Sequence, residues 1–102
     1  MTDDEAVAEH TRELDRCVLQ QGLPTALRDA MGDAVVGGAR IQRRGWVPTR
    51  ANNAMRYLML VVPRGSDAEA TVAGAGAERC HYSGYYDPAR PSVEWVGYRL
   101  RW

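Results

Sequence analysis

Val35-Val36-Gly37-Gly38-Ala39-Arg40-Ile41-Gln42-Arg43-Arg44-Gly45-Trp46 is the stretch where the chain changes period. Upstream of it, Leu27, Ala30, Met31, Ala34 and Val35 recur at three and four residues, the spacing of one helix face. Leu23-Pro24-Thr25 opens that segment, because proline is tolerated in a first helical turn, so a helix is expected over 24–36. Gly37 and Gly38 stop it, one of them in a left-handed C-cap conformation. Downstream the period becomes two: Ala39, Ile41 and Arg43 alternate with Arg40, Gln42 and Arg44, a short strand with Ile41 facing inward, closing at Gly45-Trp46.

Working outward, Thr2 followed by Glu5 is a capping-box pattern, and Val7, Leu14, Cys17, Val18 and Gln21 trace a helical stripe ending at Gly22. Helix one is therefore expected over 3–20, with an acidic first turn that complements the helix dipole and with His10, Arg12, Glu13, Asp15 and Arg16 solvated. Beyond the decisive stretch, Pro48 to Asn53 reads as loop. Met55 to Val62 is apolar on both parities apart from Arg56, the pattern of a central strand buried on both faces. Residues 64–76, rich in Gly, Ala, Ser and Asp, read as a mobile loop without a motif. Ala77 to Ser83 suggests a third strand. Val93 and Trp95 lie on one parity and Tyr98, Leu100 and Trp102 on the other, so a bulge at Gly97 would place all five on one face of a last strand. The sum is a single α+β domain over 1–102: two N-terminal helices packed on one face of an antiparallel sheet of about four strands formed from 39–102.

Composition narrows the function classes. A chain of 102 residues, 45% hydrophobic and 25% charged, fits one globular unit and has no apolar run long enough to cross a bilayer. The first 25 residues begin with Thr2, Asp3, Asp4 and Glu5 and lack an apolar block, the opposite of a secretion signal, so the cytoplasm is the expected compartment. Cys17, Cys80, His10 and His81 lack the spacing of a disulfide framework or a metal site, so no metal or other cofactor is expected. Cys80 and His81, adjacent on a strand, point to opposite faces and cannot act as a nucleophile and its base.

Net charge is zero but unevenly spread. Residues 1–33 hold eight acids against three Arg, a net of minus five, whereas Arg40 to Arg64 contains six Arg and no acid. All 13 basic residues are Arg. Guanidinium forks bind phosphate bidentately and an indole offers a stacking surface, so the arginines beside Trp46 point to an anionic, ring-bearing ligand such as a nucleotide. The expected ligand-binding set is Trp46, Arg43, Arg44, Arg50, Asn53 and Tyr85, with Trp46 stacking on a base, arginines on phosphates and Asn53 on base edges or ribose hydroxyls. The competing readings are a solvated, charge-protected sheet edge, a protein-interaction module acting through the acidic first helix against a nucleic-acid-handling complex, and a single-strand nucleic-acid binder.

Gly38-Ala39-Arg40-Ile41-Gln42-Arg43-Arg44-Gly45-Trp46, preceded by Ala30-Met31 and followed by Tyr57-Leu58-Met59-Leu60-Val61, resembles the Tad2 family of phage anti-defence proteins over residues 30–61. Arg43, Gly45 and Trp46 sit on the family's Gly-x-x-hydrophobic-x-Arg-x-Gly-Trp motif. The chain keeps a terminal Trp102 but lacks the Asp of the family's closing box, and its N-terminal helix is additional. The resemblance implies a non-enzymatic homo-oligomer, a tetramer, that sequesters cyclic ADP-ribose-type signals in the host cytoplasm.

Overall fold

A computed structural model describes residues 3–48, 54–81 and 84–102; of Trp46, Val47, Pro48 and Ala54 it describes the backbone. Thr2, Arg50, Asn53 and Ser83, invoked above for a helix cap, a ligand site and a strand, lie outside the described residues. The elements run α1 (Asp3–Gln21), α2 (Thr25–Val36), β1 (Arg40–Pro48), β2 (Ala54–Pro63), α3 (Asp67–Gly74), β3 (Glu78–Cys80) and β4 (Trp95–Arg101). The strands form one sheet in the order β1-β2-β4-β3, with every neighbouring pair antiparallel. Because β2 and β3 both run against β4, they are parallel to each other. Helix α3 makes the crossover between them, and β4 fills the gap.

The α+β architecture and the two N-terminal helices are as the periodicity indicates. Leu14, Cys17, Leu23, Met31, Ala34 and Val35 pack with Ala68 and Val72 of α3 against Leu58, Leu60, Val62, Val96, Tyr98 and Leu100 in one core cluster. These sheet residues all have even numbers, so one sheet face is covered by helices. Val61, equally buried, stands outside that cluster on the opposite face. Gly38 at φ 114° makes the turn into β1, while the C-cap Gly37 stays at negative φ.

Four local expectations are corrected. Residues 64–76 contain α3 rather than an irregular loop: the Ser66 hydroxyl accepts from the Glu69 amide at 3.2 Å, and Glu69 Oε1 in turn accepts from the Gly65 amide at 2.7 Å. Strand β1 continues through Gly45 and Trp46 to Pro48. The expected bulge at Gly97 is absent, because β2 and β4 pair without interruption from Tyr57↔Arg101 to Pro63↔Trp95. Trp95 therefore points away from the face of Tyr98 and Leu100, and its ring meets Tyr85 edge-on with centroids 4.8 Å apart. The irregularity lies instead at Gln42: Ile41 opposes Leu60, but Arg43 already opposes Met59. That extra residue inverts the parity of the rest of β1, so Arg44 rather than Arg43 shares the helix-covered face with Ile41.

Candidate functional site: a groove between helix one and the edge of the sheet

Strand β1 is an edge strand, and α1 runs beside it. An open edge exposes unpaired backbone groups, and here a side chain meets one of them: His10 Nδ1 accepts from the Ile41 amide at 3.2 Å. His10 is half-buried rather than solvated, and burial followed by the Arg40 charge lowers its pKa. With Nδ1 accepting, the neutral ring carries its hydrogen on Nε2.

Two clefts meet at His10. One, of about 340 Å³, is lined by Glu9, His10, Glu13, Arg16 and residues 41–44; the other, of about 200 Å³, is lined by Asp3, Ala6, His10, Arg40 and residues 85–89. The fold thus places two of the expected residues, Arg43 and Arg44, along one cleft and Tyr85 along the other, with His10 common to both. Trp46 pairs with Arg56 in the strand register.

The arginines differ in availability. Arg44, inverted by the bulge, is clamped to α1: Nε bonds Glu13, Nη1 donates to Gln21 Oε1 at 3.2 Å and Nη2 to Gln20 Oε1 at 2.9 Å. The hydrogen bond from Arg44 is the main cause of a lowered Glu13 pKa. Arg44 is therefore committed to joining helix and strand, contrary to its assignment as a free phosphate ligand. Arg40 is buried, with Nη1 donating to Val35 O at 3.3 Å and Ala39 O at 2.9 Å. The Arg43 side chain is exposed, on the sheet face away from α1, and forms no hydrogen bond or ion pair among the described residues, so its fork is available.

Sequence reasoning passed over His10 and Gln21. Gln21 Nε2 donates to Gly45 O at 2.7 Å, its Oε1 accepts from Cys17 Sγ at 3.2 Å as well as from Arg44, and its backbone carbonyl accepts from Trp102 Nε1 at 2.9 Å. A polar residue falling on the apolar stripe of helix one was the available signal. The acidic first helix also carries less free charge than its sequence suggests. Asp3, Glu13 and Asp15 are each ion-paired, with Arg40 and Arg90, with Arg16 and Arg44, and with Arg28 respectively.

A second surface lies on the sheet face that carries no helix, beyond the part where Val61 is buried. Arg43, Met59, Arg99 and Glu78 form a row across all four strands, and beside it runs a row of Gly45, Tyr57 and Arg101. The Tyr57 ring lies over Gly45, where a Cβ would come within 2.9 Å of the phenol oxygen, so the glycine makes room for an aromatic. Elsewhere, a cleft of about 520 Å³ holds Arg64, Arg79, Cys80, His81 and Trp95. Burial there pushes the Cys80 thiol up, away from the nucleophilic thiolate. Among the described residues no group of three or more His, Cys, Asp or Glu could hold a metal ion, and no helix is long and apolar enough to cross a membrane. The chain matches no protein-family model, no curated protein and no solved structure.

Proposed function

We propose that the protein binds and sequesters, without chemical change, a small phosphorylated nucleotide in the groove between α1 and β1, as the likeness to anti-defence sponges suggested. The observation that carries this reading is the pair of clefts that share His10, with Arg43 uncommitted at the strand edge bordering one of them, its side chain on the sheet face away from α1, and with Tyr85 and Tyr86 lining the other. One charge-assisted hydrogen bond contributes about 1.5–3 kcal/mol, so two from a single fork approach what micromolar binding requires in a preformed site. The groove is open and only partly apolar, so assembly of several copies would supply the missing walls.

Isothermal calorimetry with linear and cyclic nucleotides, each recovered unchanged, tests the proposal. Arg43→Gln should weaken binding by about tenfold or more, the equivalent of one such hydrogen bond. Absence of heat with every nucleotide, in protein shown to be folded, overturns the reading.

A second reading, single-stranded nucleic acid on the uncovered sheet face, draws on Tyr57 flanked by Arg43, Arg99 and Arg101. It differs in predicting a steep loss of affinity with added salt and loss of binding on Tyr57→Ala.

A further inference from the structure

The Arg40 guanidinium is the most deeply placed cation of the groove, its side chain only 6% exposed. A buried charge needs a counter-charge and hydrogen bonds to offset its desolvation. Nη1 has two backbone carbonyls, but Nη2 faces Asp3 Oδ1 at 3.7 Å, an ion-pair distance beyond a direct hydrogen bond. Asp3 is shared: its other oxygen accepts from Arg90 Nη2 at 2.8 Å, and the side chain is 71% exposed on the first turn of α1. Beside this loosely met guanidinium lies the 200 Å³ cleft with Ala6, His10, Tyr85, Tyr86 and Asp87. Asp87 Oδ1 accepts from the Ala89 amide at 2.9 Å, so that carboxylate closes its own turn. Arg40 is the guanidinium that lines the cleft, and Arg90 reaches Asp3 without lining it. With Asp3 swung out, the Arg40 guanidinium is left facing an opening large enough for an oxyanion.

We infer that Asp3 is an internal stand-in for an oxyanion: Arg40 forms an anion-binding position that the Asp3 carboxylate closes in the free protein and a phosphate group of a ligand takes over, releasing the first turn of α1 and Arg90. This deepens the groove reading, on which it rests only for location, by giving the ligand a second anchoring point and coupling its entry to the N-terminal turn. The displacement is an exchange of one anion for another at the same guanidinium, so its strength depends on how well the incoming group reaches Nη2 where Asp3 does not.

The test uses inorganic phosphate as probe, with acetate as a second arm that separates phosphate from any oxyanion. Asp3→Asn removes the competing charge while keeping the side-chain shape, and should bind phosphate at least tenfold more tightly than the unaltered protein. In the unaltered protein phosphate should accelerate amide hydrogen exchange over residues 4–8 several-fold and leave α2 unchanged; in Asp3→Asn those amides should already exchange fast. Arg40→Met should abolish the phosphate effect, and if it does not fold, the Asp3→Asn titration and the exchange pattern decide alone. Equal phosphate affinity with and without the Asp3 carboxylate, or no phosphate binding in either protein, overturns the inference. Nucleotide binding that leaves residues 4–8 unaffected would also overturn it while sparing the groove reading. Asp3-dependent phosphate binding with no nucleotide binding would sustain the inference and end the nucleotide reading.

Discussion

Replacing Gln21 by Ala tests whether one buried amide holds the groove in shape. Gln21 is 8% exposed and ties α1 to β1 through three partners: Cys17 on its own helix, and on β1 both Gly45 through a 2.7 Å bond and Arg44, whose orientation helps to define the cleft. Truncation removes a neutral amide-carbonyl bond of about 1 kcal/mol, a weaker thiol bond, and a charge-assisted bond that counts for less because Arg44 keeps Glu13 and Gln20. Leaving the Gly45 carbonyl without that donor adds a desolvation penalty, for a total of about 2–3 kcal/mol. In a domain of this size each kcal/mol shifts Tm by about 4–8 °C, so a drop on the order of 10–20 °C is expected. Urea unfolding followed by far-UV circular dichroism should show a lower midpoint with an unchanged slope. Gln21→Leu restores volume without hydrogen bonds and should be destabilised to a similar degree. A loss below about 0.5 kcal/mol in both variants, within the range of an ordinary surface substitution, would refute the argument that this amide ties helix to strand.

The same geometry sets four further outcomes. The folded-state pKa of His10 lies below 6.5, so its contribution to stability is fully present above pH 6.5 and is lost as pH falls through the lower folded value; urea midpoints between pH 7.5 and 5 should show this slope, and His10→Gln should flatten it. Glu13 and Glu69 act in a separate, more acidic window, since their lowered pKa values give stability present above 4.5 and lost below it. Gly45→Val should displace the Tyr57 ring, whose nearest carbons would lie 3.1 Å from the new Cβ, and should change the near-UV spectrum while costing about 1–3 kcal/mol by overpacking. Tyr98→Phe removes a 2.8 Å part-buried bond from the phenol hydroxyl to Glu69 and should cost about 1 kcal/mol in denaturant unfolding, because Glu69 keeps the Gly65 amide.

The long elements were legible because each carries enough apolar periodicity to outweigh local ambiguity. The α2 stripe from Leu27 to Val35 and the continuous apolar run of β2 are examples. Helix α3 was missed although Ser66-Asp67-Ala68-Glu69 is a capping-box signature. Its eight residues bury only Ala68 and Val72, too few to mark a face against a background of Ala and Gly. The bulge was placed at Gly97 because a parity change is visible there in sequence. The actual irregularity at Gln42 depends on pairing with β2, which local alternation does not encode.

What the sequence alone determined is the class of fold, the single apolar core and the concentration of arginine after the second helix, since these depend on composition and period within one segment. Only the tertiary structure decided which arginines are spent and which are open. Glu13 and Arg44 are separated by 31 positions, Asp3 and Arg90 by 87, and His10 meets Ile41 across the gap between a helix and an edge strand. Such contacts depend on the rotation of α1 against β1 and on one extra residue in a strand. A guanidinium becomes a structural clamp or an available ligand according to what the fold sets within hydrogen-bond reach of it.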